Sequence, residues 1–262
     1  MSSMINPAIL KRDRLLVLAA LATLAAVSWA YTVYLGVQNA SMASKMVMPM
    51  TVAWSLDDLV FMFVMWATMM FAMMLPSVTP TVMIYGRVRQ KREASGRPFA
   101  PTMAFVSGYL IAWAGFSLIA TMVNWGLHAG GAMTEMMGRV IPVIAGVLLI
   151  IAGLFQWTPA KNACLNHCRS PMGFLIQNWR DGFSGAIRMG LHHGAYCLGC
   201  CWMLMVLLFV LGVMNLPWVA MLTVVVLAEK TLPYGRQISR ILGVILVVWG
   251  IALIAGWELV GT

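Results

Sequence analysis

The stretch GLHHGAYCLGCCWMLMVLLFVLG, residues 190–212, joins a long apolar run to three cysteines and two histidines. Its length suffices for a membrane crossing, because an α-helix needs about 20 residues to span the hydrocarbon core. Polar groups inside lipid are costly and usually have a function. The stretch therefore predicts a transmembrane helix that carries a chemical site on its cysteine and histidine side chains.

The rest of the chain shares this apolar character. Of its 262 residues, 61% are hydrophobic and only 10% are charged, whereas a soluble domain carries about 25% charged residues. We expect an all-α, polytopic helical bundle that forms one domain over residues 1–262 and spans the membrane about seven times. The predicted spans are 15–37, 58–79, 102–126, 139–157, 190–212, 216–232 and 238–257. The sixth is short and flanked by Pro217 and Pro233, so six spans are the alternative.

Basic residues predict the orientation of this bundle. Of the 17 Lys and Arg residues, all but Lys45 and Arg139 lie before the first span or in 86–101, 158–189 and 230–240. Cytoplasmic loops are enriched in Lys and Arg, so we expect the N-terminus in the cytoplasm and the C-terminus outside. The net charge of +9 is then mainly a topology signal, and the bilayer is the expected partner. No stacking aromatics interleave these charges, so nucleic-acid binding is not expected.

The five cysteines form two groups at the predicted inner side of the membrane. Their odd number and the reducing compartment argue against a disulfide framework and favour a metal or redox role. Helical spacing places one histidine and three cysteines of the fifth span on a single face, and His192 lies beside it. The preceding segment CLNHC brings its two thiols to one side if it is helical. The candidate metal ligands of these two groups are Cys164, His167, Cys168, His193, Cys197, Cys200 and Cys201.

Methionine sulfur extends the candidate site. The chain has 24 methionines, and Met62, Met65, Met69 and Met73 follow a helical stripe down the second span. Methionine often fills irregular core gaps, so packing is the alternative explanation. Thiolate, thioether and imidazole groups select soft or borderline ions, and Cu(I) would use all three. We therefore favour copper, with zinc or iron as alternatives. Met69 and Met73 join the candidate metal ligands, and possible further ones are His192, Glu229, Met42, Met46, Met48 and Met50.

The role of Glu229 has two interpretations. It lies with Lys230 at the inner end of the sixth span. The two side chains can pair with each other or extend to the interface. Alternatively, the carboxylate can orient a metal-binding histidine through a hydrogen bond.

Five segments together resemble a bacterial family of predicted metal-binding integral membrane proteins, a domain of unknown function. The resemblance covers about residues 60–250 and includes the run C-x-G-C-C-W at 197–202. It implies a multi-pass protein of the bacterial inner membrane. The segments are MWATMMFAMMLPSVTP (65–80), GYLIAW (108–113), AGLFQWTPAKNACLNHCRSPMGFL (152–175), GAIRMGLHHGAYCLGCCWMLMVLLFVLGVMN (185–215) and the pair Glu229–Lys230.

Three functions remain open on the sequence alone. The favoured one is handling of Cu(I) by transport, delivery or insertion into a cuproenzyme. A second is a non-catalytic subunit of a larger membrane complex in which a metal staples the fold. The third is a membrane thiol–disulfide oxidoreductase that uses Cys197 and Cys200. The chain contains no nucleotide-binding motif, so we do not expect it to pump ions by itself, and an enzymatic role is not the favoured one.

Overall fold

The computed structural model describes residues 7–43, 55–93, 95–96, 101–131, 140–213 and 215–256, which are almost entirely helical. Ten helical segments occur in these ranges. They are α1 (Pro7–Ala43), α2 (Leu56–Glu93), α3 (Thr102–Ala129), α4 (Pro142–Phe155), α5 (Pro159–Arg169), α6 (Pro171–Asn178), α7 (Gly182–Val206), α8 (Leu208–Leu211), α9 (Leu216–Thr231) and α10 (Gly235–Ile254). The all-α expectation agrees with this architecture.

Among the described residues, five helical stretches are long and apolar enough to cross a membrane: Arg14–Gln38, Leu56–Glu93, Thr102–Ala129, Gly182–Leu211 and Gly235–Ile254. A sixth crossing arises only if α4 and α5, which meet at 64°, count as one broken span.

Seven full-length spans are therefore not confirmed. The predicted spans 139–157 and 216–232 correspond to α4, with 14 residues, and α9, with 16 residues. At 1.5 Å per residue these helices reach only about 21 and 24 Å, less than a hydrocarbon core of about 30 Å. The orientation of the termini stays a prediction, because it depends on the number of crossings.

The second helix shows how local sequence sets the element boundaries. Ser55 and Asp58 cap its start reciprocally: the Ser55 amide donates to the Asp58 carboxylate at 2.8 Å, and the Asp58 amide donates to the Ser55 hydroxyl at 3.3 Å. Such a capping box satisfies free amides of the first turn. Pro76 and Pro80 lie inside this helix, which continues to Glu93, beyond the predicted end of the second span at residue 79.

Close packing of α3 on α7 positions the cysteine-bearing helix. A Cβ at Gly190 would overlap the Phe105 carbonyl, and one at Gly108 would overlap the Ile187 carbonyl. Small residues at such contacts let two helix backbones approach closely, which is how membrane helices associate. The buried face of α7 is therefore held against α3, with α5 and α9 packed nearby.

Candidate metal centre

The three cysteines of α7 all point into the protein interior. Cys197, Cys200 and Cys201 are each no more than 2% exposed. The thiols of Cys200 and Cys201 lie 3.1 and 2.9 Å from the Cys197 carbonyl oxygen, so each can donate a hydrogen bond to the preceding helical turn. This arrangement keeps the three sulfur atoms on the buried side of the helix.

A second helix brings two more thiols to this face. Thr158 caps α5, with its hydroxyl accepting from the Lys161 amide at 3.3 Å, and Pro159 occupies the first turn. The CLNHC segment is therefore helical. Its Cys168 sulfur lies 3.9 Å from the Cys200 sulfur, while Cys164 packs beside Gly199.

Four of the five sulfurs form one cluster. The Cys168 sulfur lies 3.9 Å from the Cys200 sulfur, and the Cys200 and Cys201 thiols both lie against the Cys197 carbonyl oxygen. We refer to Cys168, Cys197, Cys200 and Cys201 as the thiol cluster. It brings sulfur atoms of α5 and α7 together.

A buried lysine supplies the charge next to the thiol cluster. The Lys230 ammonium donates to the Cys197 sulfur at 2.8 Å and to the Ser77 hydroxyl at 3.3 Å, and it lies 3.9 Å from the Met74 sulfur. The Tyr109 hydroxyl is 3.1 Å from the same cysteine sulfur. The sequence does not indicate this contact with Cys197, because Lys230 lies among the basic residues of a predicted cytoplasmic loop.

Glu229 does not pair with its neighbour Lys230. Its carboxylate forms a salt bridge with Lys161 of α5, at 2.8 and 2.9 Å from the ammonium, and the side chains are 2% and 0% exposed. Ser239 donates to the carboxylate at 2.7 Å, and Lys161 also donates to Gln156. The structure shows no histidine among these partners, so the expected orienting role of Glu229 finds no contact to support it.

The histidines differ in their surroundings. His193 is buried, with 3% exposure, and packs against the rings of Phe105, Tyr109 and Phe174. Its Nδ1 atom has no hydrogen-bond partner among the described residues, although the ring lies close enough to Cys197 and Cys200 to interact electrostatically. An unpaired buried nitrogen beside thiols is a candidate soft-metal donor.

The other two histidines lie outside this buried pocket. His167 stacks on Tyr196 with ring centroids 4.1 Å apart, and its Nδ1 is 2.9 Å from the Ala163 carbonyl oxygen. His192 is exposed and lies 4.8 Å from the Tyr196 ring. Both imidazoles are thus held near the thiol cluster by aromatic contacts rather than directed into it.

Methionine sulfur of α2 approaches Lys230, the lysine that contacts the thiol cluster. Met69 and Met73 are each 1% exposed and belong to the core, but the methionine in contact with the charged group is Met74, at Lys230. Met46, Met48 and Met50 lie outside the described residues, as does the side chain of Met42.

The cysteines and histidines do not form a ready multidentate site. Within the part of the chain that the structure describes, no three His, Cys, Asp or Glu side chains are arranged to hold a metal ion together. Two candidate donors from separate helices, the sulfur atoms of Cys168 and Cys200, lie 3.9 Å apart. With metal–sulfur bonds of about 2.3 Å, this separation subtends about 115° at a bound metal, which leaves room for a further donor.

Sequence comparison connects the chain to copper. A family profile described as PpoB2, copper chaperone, matches residues 63–253. The chain belongs to this copper chaperone family. The matched region includes the whole thiol cluster and both buried lysines, but neither α1 nor the methionine-rich segment before α2. No curated protein and no solved structure matches the chain.

Proposed function

We propose that this protein binds Cu(I) in the bacterial inner membrane and delivers it to a cuproenzyme, with Cys168 and Cys200 as the primary ligands. The observation that carries this proposal is the 3.9 Å approach of two thiols from separate helices inside a cluster of four. Thiolates select soft ions such as Cu(I), and family membership supports copper.

The charge balance of the site favours a monovalent metal ion. Two thiolates and one Cu(I) carry a net charge of −1, which is costly to bury unless a cation lies nearby. Lys230 provides that cation next to Cys197, and its contacts are a thiol, a hydroxyl and a thioether. The one buried carboxylate near it, Glu229, is already paired with Lys161. Lys230 is therefore the counter-charge of the proposed copper–thiolate complex.

A third donor completes the coordination that the thiol pair leaves open. Cys197 and Cys201 lie within the same cluster, and His193 offers its unpaired Nδ1 from a buried position. A single soft ion with two or three donors needs no preformed four-ligand cage. Such a site suits a chaperone, because low coordination leaves a position at which an acceptor protein can attack the metal.

The methionine stripe of α2 is the proposed approach to this site. Met65, Met69 and Met73 are buried one above another along the helix, and Met74 ends the series at Lys230. Thioether sulfur binds Cu(I) but holds hard ions poorly. Copper would therefore pass from thioether to thiolate as it enters the cluster.

Metal analysis of the purified full-length protein tests the proposal. Loaded with Cu(I) under reducing conditions, it should retain about one copper per chain against a chromophoric Cu(I) chelator. The C168S/C200S variant should lose this copper. C164S makes the same exchange at the fifth thiol, which packs beside Gly199 and is not a primary ligand in this proposal, and it should retain copper. Stoichiometric zinc without copper in the wild type would contradict the proposal.

One observation also favours the alternative function of a thiol–disulfide oxidoreductase. The close pair is Cys168 with Cys200, rather than the predicted Cys197 with Cys200. A redox function requires that this pair cycle between dithiol and disulfide. Differential alkylation and mass spectrometry of protein isolated from cells would show a Cys168–Cys200 disulfide if so, whereas the copper proposal expects reduced thiols.

Assembly measurements separate delivery from a structural staple. A C168S/C200S chain that loses copper but keeps its complexes and thermal stability supports delivery. Loss of both copper and assembly would favour the metal-stapled subunit.

A further inference from the structure

The opening between α1, α2 and the start of α3 is a second concave site, and none of the thiol-cluster residues lines it. Its volume is about 680 Å³, within the range of about 300–1,000 Å³ that ligand pockets occupy. Three arginines line it, Arg14, Arg87 and Arg89, against one acidic residue, Glu93. The pocket therefore carries a positive charge.

The remaining lining is apolar and continues into the spans. Val17, Val82 and Met103 contribute to the walls, and Met103 is 46% exposed although it is apolar. Arg14 is the first residue of the candidate span of α1, so the charged rim lies where the apolar segment begins. A ligand here would meet guanidinium groups at one end and hydrocarbon at the other.

We propose that this pocket binds the headgroup of an anionic phospholipid, with the acyl chains lying against its apolar walls. Guanidinium groups bind phosphate with paired hydrogen bonds, and basic pockets between transmembrane helices recognise anionic lipid headgroups. A soluble anion would use the arginines but gain nothing from the exposed apolar wall. The arginine side chains at one end of the pocket and the apolar walls at the other therefore favour a lipid over a soluble anion.

Arg14 and Arg87 are the recognition residues that mutation tests best. Both are exposed, so replacing them leaves the core unchanged. Arg89 is left unchanged in the test variant, because its charge also acts on the Tyr85 hydroxyl. Arg92 lies outside the pocket: it contacts Asp181 at 3.5 Å and lies over the Trp179 ring.

Native mass spectrometry of the full chain in detergent measures the binding directly. Phosphatidylglycerol should bind the wild type more tightly than phosphatidylcholine. R14Q/R87Q should weaken phosphatidylglycerol binding by about fivefold for each arginine removed and leave phosphatidylcholine unchanged. The control R180Q/R188Q removes the same charge at exposed positions outside the pocket and should bind like wild type.

Three outcomes would overturn the proposal. Equal binding of the two lipids would show that the pocket does not recognise charge. Equal losses in both double variants would assign the effect to the overall field of the basic residues. Displacement of phosphatidylglycerol by inorganic phosphate at equal concentration would identify a site for a soluble anion.

Discussion

The molecule buries two lysines, Lys161 of α5 and Lys230 of α9, and it neutralises them in different ways. Lys161 meets a carboxylate, in a salt bridge with Glu229 that Ser239 and Gln156 complete. Lys230 meets a thiol, a hydroxyl and a thioether. The first pair satisfies itself and holds α5 to α9. The second leaves a cation beside sulfur, where it can compensate a charge that arrives with a metal.

The Lys161–Glu229 salt bridge should contribute more to the stability of the fold than the contacts of Lys230. E229Q leaves the Lys161 ammonium buried without a counter-charge, so we expect a loss of about 3–5 kcal/mol in unfolding free energy. The midpoint of unfolding in detergent measures it. E93Q, at an exposed position, is the control and should leave the midpoint unchanged. An unchanged midpoint for E229Q would mean that the salt bridge does not stabilise the fold.

The two lysines should differ when each is replaced by methionine. K161M strands the Glu229 carboxylate, whereas K230M leaves a cysteine that can remain a neutral thiol. We therefore expect K161M to destabilise the protein by about 2 kcal/mol more than K230M. Parallel unfolding curves check this difference. Equal destabilisation would show that Cys197 carries a charge that it cannot release, and the distinction between the two sites would fail.

For copper affinity we expect the reverse order, with the replacement of Lys230 having the larger effect. K230M removes the proposed counter-charge of the copper–thiolate complex, and the expected loss is about 10- to 100-fold, as for a hydrogen bond to a charged group. Competition with a Cu(I) chelator measures it. K230R keeps the charge and should retain most of the affinity. Full affinity in K230M would remove Lys230 from the copper site.

The smallest expected effect belongs to Ser239. S239A removes one hydrogen bond to the Glu229 carboxylate and should cost about 1–2 kcal/mol in stability. Copper binding should stay at the wild-type level, because Ser239 contacts only the carboxylate pair and its own helix. A change in copper affinity would show that the two lysine sites are coupled.

Sequence reasoning found the buried thiols because their signal is local. Three cysteines within five residues of one helix share a face by helical periodicity alone, and α7 buries that face. CLNHC was expected to contribute if helical, and Thr158 and Pro159 make it so. The same periodicity places His193 on the cysteine face and His192 beside it, and the structure buries His193 and leaves His192 exposed.

The count of seven spans is not confirmed, because composition and helix length differ at two of the predicted spans. Hydropathy recognises apolar windows at 139–157 and 216–232, but the helices within them are too short to cross unaided. The positive-inside count likewise treated Lys161 and Lys230 as loop charges, although both are buried. A basic residue near the end of an apolar window can face lipid head groups or the protein core, and its sequence neighbours do not distinguish the two.

By itself, the sequence determined that this protein is an apolar, all-helical chain with a sulfur-rich face on the helix predicted at 190–212. Those properties follow from composition and from the period of a single helix. Only the tertiary structure decided that Cys168 meets Cys200, that Glu229 neutralises Lys161, and that Lys230 lies at Cys197. These contacts join residues 32, 68 and 33 positions apart, and the packing of α5, α7 and α9 creates them.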